Sequence, residues 1–198
     1  MLSSRFALLV FAVLCSPLVF SQQGTLPVSD PNRVADSSKG SIYARTVALF
    51  GADSLQITYH SPAVRKRIIW GGLVPYGEVW VTGAHNATTL ETSRTLLIGG
   101  KVLAPGKYAL FTIPGPDQWV FIINANWNQH LAWDYDAKDD LIRFAVKPRQ
   151  VEHLERLQYF IATRGIVDGT IMMRLKKVGE SNRKRLLLCS LFTKTNSP

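Results

Sequence analysis

Residues 69–89 read Ile-Trp-Gly-Gly-Leu-Val-Pro-Tyr-Gly-Glu-Val-Trp-Val-Thr-Gly-Ala-His-Asn-Ala-Thr-Thr, and they decide the fold class more than any other stretch. The block contains four glycines, a proline, a tyrosine and two tryptophans. An α-helix does not tolerate this content of glycine and proline, because glycine destabilises helices and proline removes a hydrogen-bond donor. The block therefore predicts turns and short extended pieces, either at a corner of a β-fold or at the rim of a site.

The rest of the chain shows the alternation of apolar and polar residues that is typical of strands. Residues 44–50 and 55–59 predict a hairpin, and Trp119–Asn124 is apolar enough for a strand buried on both faces. Further strands are predicted at 68–70, 88–98, 101–103, 108–113, 141–147, 157–162, 170–176 and 185–192, and a helix is considered only at 151–157. About ten short strands predict an all-β fold, a single-domain antiparallel β-sandwich or barrel over residues 41–194.

The N-terminus, residues 1–21, has the pattern of a secretory signal peptide. Arg5 precedes an apolar run over residues 6–20, which is too short for a comfortable membrane span. Val19 and Ser21 suit cleavage after Ser21. We therefore expect a secreted or periplasmic protein that has no transmembrane segment after cleavage.

Cysteine usage and the composition of residues 22–40 refine this prediction. Leu14 directly before Cys15 is too large for lipid attachment, which argues against a lipoprotein. After cleavage only Cys189 remains, so no disulfide can form within the chain, and a bacterial envelope compartment is favoured. Residues 22–40 are polar and predict a disordered or loosely attached lead-in.

The positive charge is concentrated in the last third of the chain. Residues 22–140 carry 10 Lys and Arg against 10 Asp and Glu, whereas residues 141–198 carry 12 against 4, a net charge of +8. This basic segment has no interleaved aromatics and no recognisable nucleic-acid module, so nucleic acid is not predicted as a partner. An anionic envelope surface is a better match. The residues that would contact it are Lys176, Lys177, Arg183, Lys184 and Arg185.

Several motifs occur in one order and spacing. They are Ser61-Pro62, Gly71-Gly72-Leu73-Val74-Pro75-Tyr76-Gly77-Glu78-Val79-Trp80, Thr82-Gly83-Ala84, Ala87-Thr88, Ile98-Gly99-Gly100-Lys101, Pro105-Gly106-Lys107-Tyr108, Leu110-Phe111-Thr112-Ile113-Pro114, Trp119, Asn124, Asn126, Gln129, Tyr135 and Asp139. Together they resemble the hallmark of a bacterial family, domain of unknown function 2911, over residues 44–148. The resemblance implies a secreted, mostly β protein with no established activity.

The chain departs from the pattern of that family at two places. It has His85-Asn86 where the family usually has Asn-Glu after Gly-Ala, and Val81 where the family usually has Arg after the second Trp. If the Arg and Glu form a functional ion pair in relatives, the resemblance does not carry that function to this chain.

Two segments place polar groups beside aromatic rings, which is the chemistry that binds polyols and sugars by stacking and hydrogen bonding. One is the loop Trp80–Thr88, and the other follows the apolar strand at residues 126–136. The residues predicted to bind a ligand are Trp80, Thr82, His85, Asn86, Thr88, Asn126, Gln129, His130 and Tyr135. The alternative is that Thr and Asn bind their own loop backbone and Trp80 fills the core.

Metal and catalytic sites have weaker support in the sequence. His60, His85 and His130 lack the His-x-His or His-Glu-x-x-His spacing of metal sites, even with Glu78 or Asp134 nearby. The acidic run Asp134, Asp136, Asp139 and Asp140 lacks the glycine and terminal glutamate of a calcium loop. The sequence therefore predicts no metal, no cofactor and no catalytic residue.

Three functional hypotheses remain. The leading one is a non-catalytic exported β-sandwich that binds a small polar ligand, a glycan or an envelope partner through the two polar-aromatic loops. The second is a metal-assisted hydrolase that uses His85, His130 and a carboxylate. The third is a structural envelope protein whose basic C-terminal third docks on anionic lipid.

Overall fold

The computed structural model describes residues 24–25, 30–32, 40–149, 154–164, 168–175 and 186–191. Apart from the 3₁₀ helix Ala137–Asp139, the regular elements of these residues are strands. They are β1 Gly24–Thr25, β2 Ile42–Phe50, β3 Asp53–Ser61, β4 Thr88–Thr92, β5 Leu96–Ile98, β6 Lys101–Leu103, β7 Gly106–Ile113, β8 Trp119–Asn124, β9 Asp140–Val146, β10 Gln158–Arg164, β11 Asp168–Arg174 and β12 Leu186–Leu191. The predicted all-β class is confirmed.

The strands form two six-stranded antiparallel sheets that pack as a sandwich and do not close into a barrel. The first sheet has the order β2-β3-β4-β7-β8-β9, and the second has the order β1-β10-β11-β12-β5-β6. The first is regular, because each strand pairs with its neighbour over several residues. The second is less continuous, since β12 meets β5 at the single pair Leu191 and Ile98.

The core lies between the two sheets and follows the period-two alternation of the strands. In β3, for example, Leu55, Ile57 and Tyr59 are buried whereas the residues between them are partly exposed. These side chains pack against Tyr159 and Ile161 of the opposite sheet. The burial of apolar area on both inner faces is the main stabilising contribution to such a sandwich.

Three tryptophans fill one end of this core and anchor the glycine-rich block to it. The ring centroids of Trp70 and Trp119 are 4.5 Å apart, and those of Trp70 and Trp80 are 5.4 Å apart, both in edge-to-face contact. Aromatic rings prefer this geometry because the positive edge of one meets the negative face of the other. The block is therefore a corner of the β-fold whose large side chains are fixed in the core.

The structure corrects some of the predicted element boundaries. The strand predicted at 88–98 is two strands in different sheets, because the Thr92 hydroxyl bonds both the N–H and the C=O of Arg94 and bends the chain. The short strand predicted at 68–70 is a turn region with an isolated bridge at Trp70. No helix is present over residues 154–157, and 151–153 lie outside the described residues.

The described parts of the predicted lead-in are attached to the domain. Gly24 and Thr25 pair with Ala162 and Ile161 of β10. The Asn32 side chain donates to Gln158 Oε1 at 2.9 Å and accepts from the backbone N–H of Arg156.

The predicted signal segment 1–21 lies outside the described residues, and so do Lys176, Lys177, Arg183, Lys184 and Arg185 of the basic segment. In the part of the chain that the structure describes, no helix has the length and apolar character needed to cross a bilayer.

A candidate ligand-binding groove and its two loops

The first predicted loop leaves the sheet and returns to the same neighbouring strand. Trp80 exchanges backbone hydrogen bonds of 2.8 and 3.0 Å with Thr112 of β7, and Thr88 pairs with Leu110 two residues earlier on that strand. Residues 81–87, which we call loop A, therefore project from the sheet between two fixed points. A loop held at both ends by one rigid strand is a well-positioned place for functional side chains.

Thr82 fixes the path of loop A from inside the molecule. It is fully buried and has a φ of +56°, a conformation that non-glycine residues rarely adopt. Its hydroxyl lies 3.1 Å from both the Trp80 carbonyl and the Thr112 hydroxyl, while its own carbonyl accepts from Thr88 Oγ1 and from the Tyr159 hydroxyl. These bonds hold the strained backbone, so Thr82 and Thr88 support the loop from within.

The second predicted loop, residues 126–136, belongs to the segment 125–139 between β8 and β9, which we call loop B and which lies directly against loop A. The Ala87 N–H donates to the Gln129 carbonyl, and the Leu131 N–H donates to the His85 carbonyl. His130 Nδ1 lies 3.0 Å from Asn86 Oδ1. The structure therefore brings together two loops that are more than 40 residues apart in the sequence, as Asn86 and His130 are.

The two loops cover apolar residues on the outer face of the first sheet. Val81 and Ala87 of loop A bury themselves against Ala109, Phe111 and Ile122, which point away from the main core. These five side chains are each 5% exposed or less. Because this second small core lies under both loops, it fixes their position relative to the sheet.

A hydrogen-bond network holds the base of loop B. The Asp140 carboxylate accepts from Tyr135 Oη at 2.6 Å, from Arg143 Nε at 2.6 Å and from the Asn124 side chain at 2.8 Å. Asn124 Oδ1 in turn accepts from the Gln129 side chain at 3.0 Å. Burial, with a further effect of Asp140, raises the pKa of Tyr135 to about 12, so its hydroxyl remains a proton donor in this network.

A groove of about 500 Å³ opens beside loop A, between it and residues 62–80. Its walls are mostly apolar. The apolar residues that line it are Pro62, Ala63, Ile69, Leu73, Val74, Pro75, Val79, Trp80, Val81, Ala84, Leu131 and Leu175. The polar and charged side chains that line it are Ser41, Arg65, Arg67, Glu78 and His85.

The polar groups of the groove differ in whether they already form hydrogen bonds within the protein. Arg67 donates to the carbonyls of Ala63 and Val64, so it braces the wall. The Ser41 hydroxyl oxygen is buried and has no hydrogen-bond partner among the described residues. Glu78 is exposed at the rim. A buried hydroxyl without a partner is costly, so the Ser41 hydroxyl is a strained feature of the wall beside the groove.

Two histidine rings meet at the rim of the groove. The centroids of His60 and His85 are 5.4 Å apart in an edge-to-face contact, and Tyr43 lies on the other side of His60 at 5.6 Å. Burial lowers the pKa of His60 below its ordinary value, and the neighbouring His85 lowers it further. The pair is therefore most stable when His60 is neutral.

Backbone strain is concentrated around the groove. Among the described residues, the non-glycine residues with positive φ are Arg65, Lys66, Thr82, His85 and Leu131. Arg65, His85 and Leu131 line the groove, Lys66 is adjacent to Arg65, and Thr82 lies between two residues of loop A that line it. Residues in such conformations persist only where the surrounding structure holds them, and they cluster at binding and active sites.

The predicted site residues occupy three kinds of position. Trp80 and His85 line the groove. Asn86, Asn126 and His130 are exposed on the two loops but do not line it. The buried or half-buried residues that hold the loops are Thr82, Thr88, Gln129 and Tyr135.

Sequence reasoning missed most of the groove. Ser41, Arg67 and Leu131 line it although no motif pointed to them. The one available signal was the glycine-rich block itself, whose aromatic and turn residues suggested the rim of a site. The positions at which the chain departs from the family pattern, 81, 85 and 86, all fall in loop A, beside the groove.

The described residues contain no group of three or more His, Cys, Asp or Glu side chains that could hold a metal ion. His130 contacts Asn86 rather than a carboxylate, while its backbone N–H donates to Asp134. Asp136 accepts from the Lys138 N–H, which lowers its pKa. The metal-assisted hydrolase hypothesis thus finds no ligand set in this part of the chain.

Comparison with known proteins agrees with the resemblance seen in the motifs. The sequence profile of a family described as "Protein of unknown function (DUF2911)" matches residues 41–179, a longer stretch than the 44–148 predicted from the motifs. No curated protein and no solved structure matches the chain. Because the profile covers more than half of the chain, the chain belongs to the DUF2911 family.

Proposed function

We propose that this protein is an exported binding protein of the bacterial envelope, which holds a small amphiphilic molecule in the groove beside loop A. The observation that carries the proposal is a groove of about 500 Å³ with apolar walls and a polar rim, located where the strained backbone is concentrated. Export rests on the signal-peptide pattern of residues 1–21.

The size and lining of the groove support a ligand with an apolar body. Small-molecule sites typically have volumes of about 300–1,000 Å³ and are lined mainly by apolar side chains with a few polar groups that fix orientation. Here Leu73 is exposed and Val79 and Trp80 are partly buried, so these three lining residues offer apolar contact area. An acyl chain or ring system would bury apolar surface against them.

The polar members of the groove support a ligand that also has a hydrogen-bonding head. His85 presents an imidazole at the rim, Glu78 adds a carboxylate, and Arg65 adds a guanidinium group. A free sugar would leave the apolar walls unused. We therefore narrow the earlier expectation of a small polar ligand or glycan to an amphiphile whose polar end contacts this rim.

A groove-filling substitution tests the proposal. Ala84 lines the groove, and its N–H bond to the His60 carbonyl does not involve the side chain. We expect Ala84→Phe to weaken binding of dodecanoate and dodecyl maltoside by at least about tenfold, or about 1.4 kcal/mol. Calorimetry below the micelle-forming concentration measures the effect. The control Ala125→Phe, at an exposed position of loop B, keeps wild-type affinity.

The same titrations distinguish an amphiphile bound in the groove from a glycan bound on loop B. Binding of the dodecyl compounds with equal affinity by wild type and Ala84→Phe contradicts the groove as the site, and so does no binding by wild type. Binding of maltose alone, lost in Trp133→Ala, would place a glycan site on loop B instead, where Trp133 is 87% exposed.

A further inference from the structure

Residues 65–76 carry exposed basic and apolar side chains on one compact turn next to the groove. Ile68 is 60% exposed, Leu73 is 55% exposed and Tyr76 is 39% exposed. Large apolar side chains that share one exposed surface mark interaction sites, whereas scattered ones do not. We call this surface, formed by Arg65, Lys66, Arg67, Ile68, Leu73 and Tyr76, the basic-apolar turn.

The three apolar side chains are held together by the local backbone. The Leu73 N–H donates to the Ile68 carbonyl at 3.0 Å, and the Val74 N–H donates to the Ile69 carbonyl at 2.8 Å. A Cβ built on Gly72 would lie within 3.2 Å of the Ile68 side chain, and one on Gly71 within 2.7 Å of the Tyr76 ring. Glycine at both positions thus lets Ile68 and Tyr76 pack onto the turn while their outer surfaces face solvent.

The turn is fixed to the body of the protein. Trp70, in its centre, is 5% exposed and contacts Trp80 and Trp119. The Arg65 N–H donates to Glu155 Oε1 at 2.6 Å, and the Val64 N–H donates to the Glu155 carbonyl. The exposed side chains therefore project from a rigid base, which reduces the conformational entropy lost when they contact a partner.

All the charged side chains of the turn itself, residues 65–76, are positive. Arg65, Lys66 and Arg67 are consecutive and exposed, and among the described residues the carboxylates beside them are Glu78 at the groove rim and Glu155 against the Arg65 backbone. Arg67 braces the wall through two backbone carbonyls, yet its charge stays at the surface. Basic side chains next to exposed apolar and tyrosine side chains are the combination that binds the interface of an anionic bilayer.

We propose that the basic-apolar turn docks the protein on a membrane surface that contains anionic lipid, with Ile68, Leu73 and Tyr76 entering the headgroup region and Lys66 contacting lipid phosphates. The groove opens on the same side, since Leu73 belongs both to its lining and to the turn. The docking surface differs from the C-terminal basic segment considered in the sequence, and it does not require that the groove hold a ligand.

Vesicle sedimentation of the full chain, isolated after export from a bacterial host, tests the proposal. The vesicles contain phosphatidylglycerol in phosphatidylcholine, or phosphatidylcholine alone. We expect binding to the anionic vesicles that falls steeply as salt rises to about 0.5 M, because surface charges are then screened. Ile68→Asp and Lys66→Glu should each weaken this binding by about tenfold.

Matched controls keep the test specific. Val102 is 62% exposed and Lys101 is exposed, both on the edge strand β6, so Val102→Asp and Lys101→Glu should bind vesicles like wild type. Ala84→Phe should also keep vesicle binding, which separates failure of docking from failure of the groove. Circular dichroism verifies the fold of each variant.

Two results would overturn the proposal. One is wild-type chain that does not bind anionic vesicles, or binds them equally after Ile68→Asp and Lys66→Glu. The other is loss of binding only in Lys184→Glu, which would assign docking to the C-terminal basic segment.

Discussion

At the scale of single residues, the rim of the groove depends on side chains whose roles are set by their neighbours. His85 has a φ of +58° and its carbonyl accepts from Leu131, so its backbone is held by loop B while its ring faces His60. Trp80 lines the groove and also donates from Nε1 to the Gly83 carbonyl at 3.0 Å, which closes loop A. The residues that line the groove therefore also hold loop A in place.

The lowered pKa of His60 predicts that acid destabilises the protein. Its ordinary value is 6.5, and in the folded state it is lower, so the unfolded chain binds more protons as the pH falls through this range. Stability linked to His60 is therefore present above about pH 6.5 and is lost as the pH falls below it. Thermal unfolding of wild type should show a larger decrease in Tm from pH 7.5 to 5.5 than that of His60→Gln. Equal decreases in the two proteins would contradict the prediction.

At the scale of elements, loop B depends on the irregular pairing of β8 with β9. The register shifts at Ile123 and Asn124, and Asn124 pairs with Asp140. The shift directs the side chains of Asn124 and Asp140 to each other, and Tyr135 and Arg143 complete the network. A bulge of this kind redirects side chains at the end of a strand, and here it fixes the base of a loop that contacts loop A.

Asp140→Asn should destabilise the protein and loosen loop B. The Asp140 side chain is 6% exposed, and its charge accepts bonds from Tyr135, Arg143 and Asn124. We expect a loss of about 2 kcal/mol in the free energy of unfolding, measured by urea titration, and faster amide exchange in residues 125–139. Asp136→Asn is the matched control. Its side chain is 50% exposed and pairs with Lys138, so a loss above about 0.5 kcal/mol there would contradict this assignment.

At the scale of the whole molecule, side chains of the first sheet join it to β10 of the second. Thr46 Oγ1 donates to the Tyr159 carbonyl, the Tyr159 N–H donates to the Tyr59 hydroxyl, and Ser61 Oγ donates to the Leu157 carbonyl. These hydroxyls satisfy backbone groups of Tyr159 in β10 and of Leu157 directly before it.

Tyr159→Phe removes only the hydroxyl, so it should weaken the attachment of loop A to β10 while the bonds of the Tyr159 backbone remain. The Tyr159 side chain is fully buried, and its hydroxyl donates to the Thr82 carbonyl at 2.9 Å. Its removal should cost about 1–2 kcal/mol in the free energy of unfolding. The control Tyr43→Phe, at a ring that is 62% exposed, should change stability by less than about 0.5 kcal/mol. Equal effects of the two substitutions in chemical denaturation would contradict the role given to the buried hydroxyl.

The sequence by itself determined the all-β class, most strands and the family, because apolar alternation and turn residues are local properties of the chain. It also predicted ligand-binding residues in loops A and B, since polar and aromatic residues follow strand ends there. Only the tertiary structure decided which of their side chains are available. Thr82, Thr88 and Gln129 look like binding groups in the sequence but are buried, whereas Ser41 and Leu131 line the groove without a motif. The reason is that burial and proximity come from pairing strands distant in sequence: Trp80 with Thr112, and Asn86 with His130. No local pattern encodes these pairings.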